Sequence, residues 1–224
     1  GVSLATLCHL AWAAVLARTA GQPRVVFGTV LFGRMAAGAG ADRAMGLFIN
    51  TLPLCVDIDD TEVEAAAREV QLCLAALLAH EHASLALAQR CSNVGSNAPL
   101  FSALLNYRHN ALPRGHDTAL AGVEFVSGEE RTNYPVTLSV EDYGDALAVT
   151  VQVVDALSPG RICAYMQRAL EQLADALEHH SSLAVSQLDV LPSDERRLLL
   201  DTWNATRAEF PAHLCLHELV EQQV

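Results

Sequence analysis

The 224-residue sequence predicts an α/β fold, and three observations carry that reading. Apolar runs of strand length recur, as in RVVFGTVLF (Arg24 to Phe32) and LFSALLNYR (Leu100 to Arg108). One stretch, Tyr134 to Asp155, alternates apolar and polar residues on both sides of Tyr143-Gly144-Asp145, the pattern of a half-buried hairpin. Two long segments instead place apolar residues at helical spacing. Strands and helices interspersed in this way argue for helices packed on a sheet.

Taken in order, Ser3 to Thr19 reads as a helix with Ser3 as its cap and Leu4, Leu7, Ala11 and Val15 on one stripe. Its apolar run is shorter than the ~20 residues a bilayer span needs, and no basic leader precedes it. The two apolar runs Arg24 to Phe32 and Met45 to Leu54 follow, joined by a loop of small residues. With glycines at Gly33, Gly38 and Gly40, that loop has few side chains to anchor it and can lie close to a ligand. Thr61 to His82 is the next helix. Thr61 and Glu64 suggest a capping box, and Val63, Val70, Leu74, Leu77 and Leu78 its buried face. A short helix over Leu85 to Arg90, a loop over Cys91 to Pro99, and strands over Leu100 to Arg108 and Val123 to Ser127 lead to the hairpin. Ser158-Pro159 opens a helix reaching His180, with Ile162, Tyr165, Met166, Ala169, Leu170, Leu173 and Leu177 as its stripe. Ser181 to Pro192 reads as connector, Asp194 to Asn204 as a short amphipathic helix, and Phe210 to Val224 as the lead-in to a further element.

Composition excludes some functions. The formal net charge is -12, with fourteen arginines and no lysine, the opposite of the clustered positive charge that nucleic-acid binding requires. The six cysteines form no CxxC and no paired spacing. Five lie in apolar sequence, where a thiol behaves as a small hydrophobe, so a reducing cytoplasmic setting is expected. Because the chain starts with Gly1 and stops within a periodic stretch at Val224, it reads as a fragment.

No catalytic constellation emerges from the residues. His179-His180 sits at a helix end, where positive charge suits the dipole and a solvated terminus is the simpler account. His80 and His82 flank Glu81 too closely to share a helix face, which argues against a metal site. His109 and His116 belong to a polar loop after a strand. Neither a P-loop, a complete GxGxxG nor a GxSxG elbow is present. Asn50-Thr51 and Asn106-Tyr107 are polar groups inside apolar strands, and two roles stand open for them: hydrogen-bond nodes or pocket lining.

Several stretches, read together, resemble the C-terminal half of a condensation domain from a nonribosomal peptide synthetase. MGLFINTLPL (Met45 to Leu54) resembles the family's Gly-x-Phe-Val-Asn-Thr motif, matching at Gly46, Phe48, Asn50 and Thr51, with Ile49 in place of Val. VVFGTVLFGR (Val25 to Arg34) is similar to the strand ending in Gly-Arg that precedes it. HEHASLALAQ (His80 to Gln89) and RCSNVGSNAPLF (Arg90 to Phe101) stand where the family has two further motifs, the second keeping Arg90, Ser92 and Pro99-Leu100. Leu188 to Gln223 resembles the linker into an adenylation domain and that domain's first helix.

The resemblance implies a chloramphenicol-acetyltransferase-like (CoA-dependent acyltransferase-like) lobe with a mixed sheet and packed helices. It divides the chain into the C-terminal lobe (1–180), an interdomain linker (181–209) and the start of an adenylation domain (210–224). The lobe would help join aminoacyl and peptidyl thioesters delivered on the phosphopantetheine arms of carrier domains, with no cofactor or metal bound directly. The partners implied are the N-terminal lobe, adenylation domain and carrier domains, with neither nucleic acid nor membrane. Phe32, Gly33, Arg34, Asn50, Thr51, Asn106 and Tyr107 are the implied tunnel lining, and Met35, Gly38, Gly40 and Arg43 belong to the loop crossing it. A Ser often stands in the family where this chain has Phe32. The family's His-His-x-x-x-Asp-Gly motif is absent from this chain, so no catalytic residue is assigned and the fragment is expected to be inactive alone. Two other readings are a non-catalytic carrier-docking scaffold and a stand-alone CoA-dependent acyltransferase using His109.

Overall fold

The computed structural model describes residues 1–33, 45–95, 97–109, 126–127, 130–179, 182–209 and 213–223. Contacts divide the chain into two compact units, Gly1–Val190 and Leu191–Val224.

The first unit is built on a five-stranded mixed sheet of order β2-β1-β3-β4-β5. Its strands are β1 (Arg24–Leu31), β2 (Asn50–Asp57), β3 (Ala103–His109), β4 (Val136–Asp142) and β5 (Leu147–Val153). β1 and β2 are antiparallel over their whole length, from Arg24 opposite Asp57 to Leu31 opposite Asn50. Arg24 closes one end of that pair with two hydrogen bonds to Asp57, at 2.7 and 2.9 Å. β3 runs parallel to both β1 and β4, and β4 and β5 form the expected hairpin. Gly144 turns that hairpin with φ of 85°, a conformation glycine adopts without the Cβ penalty. Val126 and Ser127 form no strand, and Val123 to Phe125 lie outside the described residues.

Helices α1 (Leu4–Ala20), α2 (Val63–Leu78) and α4 (Pro159–Glu178) cover one face; the short α3 spans Leu85–Cys91. Alternation explains which strand residues they cover. Phe27 and Leu31, Leu52 and Leu54, Leu105, Leu138 and Val140 all point to the helices and are buried.

α1 is capped by the Ser3 side chain, which accepts from the Thr6 N–H, and ends at Gly21 in the left-handed conformation. The single stripe expected for it is not what forms. Cys8 through Val15 are buried all round the helix, while Leu4 is 37% exposed. A helix packed between a sheet and two other helices has no solvent face to mark with polar residues.

α2 begins one residue later than expected. Glu62 is its cap and no capping box forms, because the Thr61 N–H is taken by Asp59 Oδ1 at 2.9 Å. The Val63 N–H goes to the Leu183 carbonyl at 3.0 Å. The buried face starts as expected with Val63 and Val70, but Ala66 and Ala67 complete it, and Leu74, Leu77 and Leu78 are half-buried. α4 keeps its stripe, with Tyr165, Met166, Ala169 and Leu173 buried and Ile162, Leu170 and Leu177 half-buried.

The stretch read as connector is packed from Ala184 to Val190. Ala184 bridges Glu62, Val185 and Leu188 are wholly buried, and Arg18 donates to the carbonyls of Ser186 and Leu188. All six cysteines are free thiols. Only Cys8 is buried and Cys163 half-buried, so apolar sequence neighbours do not translate into burial for the others.

In the second unit α5 (Ser193–Arg197) widens into a π turn over Leu198–Thr202, which Asn204 closes by donating to the Leu199 and Leu200 carbonyls at 2.7 and 3.1 Å. A last helix, α6 (Leu216–Glu221), is capped by Cys215 and Glu218. No helix among the described residues is long and apolar enough to cross a membrane.

Candidate functional site at one end of the sheet

Since β1, β3 and β4 are mutually parallel, their C-terminal ends gather at one end of the sheet, together with the start of β2. Phe32 and Gly33 leave β1 there, Asn50 and Thr51 open β2, and Asn106, Tyr107 and His109 end β3. The structure therefore brings six of the seven expected lining residues to one sheet end. Arg34, with Met35, Gly38, Gly40 and Arg43 of the crossing loop, lies outside the described residues.

Alternation divides these residues between the two faces. Thr51 sits opposite Val30 and Asn106 beside Ser139, on the face away from the helices, where both Thr51 and Asn106 are half-buried. Asn50 and Tyr107 are on the helix-bearing parity, and their polar atoms are already engaged. Asn50 Nδ2 donates to the carbonyls of Glu81 at 2.8 Å and Ala83 at 2.7 Å, and its Oδ1 accepts from the Thr51 N–H at 2.9 Å. These bonds fasten the start of β2 to the turn after α2. Tyr107 donates its hydroxyl to Asp142 Oδ2.

Gly33 has φ of 64°, and a Cβ there would stand 2.0 Å from the Phe48 carbonyl oxygen. Only glycine lets the end of β1 pass so close to the lead-in of β2. Around that crossing apolar side chains face outward: Phe32 is 45% exposed, Met45 98%, Leu47 92% and Ile49 58%.

Asp142 is the residue the sequence analysis missed. It lies opposite His109 in the parallel register of β3 and β4. Its carboxylate accepts from Tyr107 Oη, from His109 Nδ1 at 2.8 Å and from the Gly144 N–H at 2.8 Å. Those three donors, Tyr107 foremost, hold the acid down to about 2, so it is anionic at neutral pH. Tyr107 is pushed the other way, upward, first by burial and then by its bond to the carboxylate. A signal for Asp142 was present in the sequence: along Val136, Leu138, Val140, Asp142 it occupies the next core-facing position. An acid at such a place needs partners.

The other histidines of the first unit do other things. His9 is buried in α1, with Nδ1 donating to the Ala5 carbonyl and Nε2 accepting from the Thr29 hydroxyl, both at 2.6 Å. Burial lowers its pKa to about 4, so it stays neutral. His179 ends α4, exposed and bonded to its own turn at Asp175. His80 and His82 are exposed after α2, and His82 Nε2 is 3.7 Å from Glu81, beyond hydrogen-bonding reach. His116 and His180 lie outside the described residues.

Comparison with known proteins places this architecture. The profile of the condensation domain matches residues 1–200. Malpibaldin synthetase of Mortierella alpina is 59% identical over 224 residues, all of this chain but 4% of that protein. A linear gramicidin synthase of Brevibacillus parabrevis is 30% identical over 221 residues, 97% of this chain and again 4% of the relative. The chain thus spans a few hundredths of the length of the curated relatives it matches. Among solved structures, holo-AB3403, a four-domain nonribosomal peptide synthetase bound to AMP and glycine, superimposes with a TM-score of 0.69 at 19% identity. That alignment covers 99% of this chain and 18% of that one. A crystal structure described as CT superimposes at 0.65 with 20% identity over 84% of this chain and 44% of its own. The fold is thereby the expected acyltransferase-like α/β arrangement, and this chain belongs to the condensation-domain family, with multidomain nonribosomal peptide synthetases among its relatives.

Proposed function

We propose that residues 1–180 are the C-terminal lobe of a condensation domain, followed by a linker over 181–209 and the start of an adenylation domain over 210–224. The lobe supplies one wall of a channel in which an acceptor amine attacks a donor thioester, both carried on phosphopantetheine arms of carrier domains in a cytoplasmic synthetase. Its partners are the N-terminal lobe, the adenylation domain and the carriers. Phe32 and Gly33 line the acceptor side, with Asn50, Thr51, Asn106 and Tyr107 near the lobe boundary.

The observation that supports this most directly is the outward-facing apolar group Phe32, Met45, Leu47 and Ile49, which surrounds the Gly33–Phe48 crossing. Apolar side chains gathered at one sheet end are the signature of a surface that another body covers. That the CT crystal structure is aligned over only 44% of its own length supports a reading of one lobe of two. Holding two tethered reactants in attack geometry is a large part of the rate gain such a site can offer.

The test is to assay amide formation from carrier-bound thioesters with residues 1–224 alone and with the same residues joined to a lobe carrying the His-His-x-x-x-Asp-Gly motif. Product is expected only from the joined protein. Turnover by residues 1–224 unaided would overturn the reading.

A further inference from the structure

His109 differs from the other described histidines in one respect. One ring nitrogen is fixed by a buried carboxylate and the other is turned to solvent: its side chain is 62% exposed and that of Asp142 only 8%. Because an ionised carboxylate accepts and cannot donate, the 2.8 Å contact requires a proton on Nδ1. The neutral ring then carries its lone pair on Nε2, facing outward. Asp142 is itself held on three sides, by Tyr107, His109 and the Gly144 N–H, so it cannot swing away from the ring. This is the orienter–base half of the arrangement that activates acyl-transfer sites.

We propose that His109, oriented by Asp142, is a general base of this lobe and takes a proton from the ammonium group of the acceptor substrate. The inference rests on the condensation reading above. It goes further by assigning proton handling to this wall of the channel.

The charges around the ring suit a cation. Asp142 is anionic. Tyr107 stays neutral, and the Cys8 thiol of α1, pushed up to about 12 by burial and by the Asp142 charge, stays protonated. Arg108, the adjacent cation, is on the opposite strand parity and is paired with Glu130 at 3.3 Å and Glu141 at 2.8 Å. On the hairpin side the turn adds exposed Asp145 and half-buried Tyr143. Among the described residues the local balance is negative, which draws an ammonium toward Nε2.

The step balances as follows. Nε2 takes one proton from the ammonium, leaving a neutral amine whose lone pair attacks the thioester carbonyl carbon. As the C–N bond forms and the C–S bond breaks, the sulfur leaves with the bonding electrons and receives the second nitrogen proton. The products are an amide and a thiol, and His109 returns its proton to solvent.

The experiment uses the complete synthetase containing this domain, with an aminoacyl-thioester acceptor and an aminooxy analogue that is unprotonated at neutral pH. His109→Gln is expected to lower kcat for the ammonium acceptor about 100-fold at pH 7, the usual worth of a positioned base. The loss should shrink as pH rises, with KM little changed and the aminooxy acceptor used at nearly the wild-type rate. Asp142→Asn can donate to Nδ1 and hold the wrong tautomer, so it should show the same acceptor-dependent loss. Both variants working within twofold of wild type on the ammonium acceptor would overturn the assignment. Equal losses on the two acceptors would also overturn it, showing a structural effect. A wild-type synthetase that forms no amide from either acceptor would instead sink the condensation reading.

Discussion

Two histidines, one in the middle of the helix-covered face and one at its rim, are both hydrogen-bonded, yet they do opposite work. His9 spends both ring nitrogens on α1 and β1, is closed off from water and is held neutral. His109 spends one nitrogen on an anion and leaves the other exposed. The difference lies in neither residue type nor bond length. A ring whose nitrogens are both satisfied inside the core can only hold elements together. A ring satisfied on one side alone keeps a proton-accepting position available.

The comparison can be broken first at His9. His9→Ala strands the Thr29 hydroxyl, takes a side-chain donor from the Ala5 carbonyl and opens a cavity, so it should cost about 3 kcal/mol in denaturant unfolding. A loss below about 1 kcal/mol would show that the buried bonds contribute little.

Acid titration sharpens the contrast. His9 has a folded pKa of about 4 against an ordinary 6.5, so the unfolded chain binds the extra proton between those values. Its contribution is whole above pH 6.5 and falls on the order of 3 kcal/mol as pH drops to 4. Asp142, held at about 2 against 3.8, acts in a lower window: its contribution is present above 3.8 and disappears as pH falls toward 2. His9→Ala should therefore flatten the upper part of the stability–pH curve, and Asp142→Asn the lower part.

Gly33→Ala probes the backbone of the rim. Left-handed strain of about 1–2 kcal/mol is expected, besides displacement of the Phe48 carbonyl that a Cβ would meet at 2.0 Å. Thermal unfolding measures the first effect. If the proposed function holds, loss of amide formation in the complete synthetase, beyond what the stability change explains, measures the second.

The smallest effect belongs to His109→Gln. An exposed ring removed from the rim should change unfolding free energy by less than about 0.5 kcal/mol. A larger loss would make His109 a structural residue like His9.

Legibility in the sequence followed the range of the forces involved. The hairpin, the α4 stripe and the Ser3 cap depend on residues within a few positions of one another, and periodicity exposes them. α1 misled because a helix buried on every side carries no stripe. The Thr61–Glu64 capping box failed because Asp59 claimed the Thr61 N–H that it needed, and the Val63 N–H of the same turn went to the distant Leu183. Asn50 and Tyr107 were recognisable as polar residues inside apolar strands, open to a role as hydrogen-bond nodes or as pocket lining. Their actual partners lie 31 and 35 residues away and could not be named.

From residue order alone came the class of fold, most of its helices and strands and the family, since motif spacing and hydrophobic period are local properties of a chain. The His109–Asp142 pairing, the sealing of His9 against Thr29 and the Gly33–Phe48 crossing arose from packing. Each joins segments whose register is set by burying a shared apolar face, and that choice is made by the whole sheet at once.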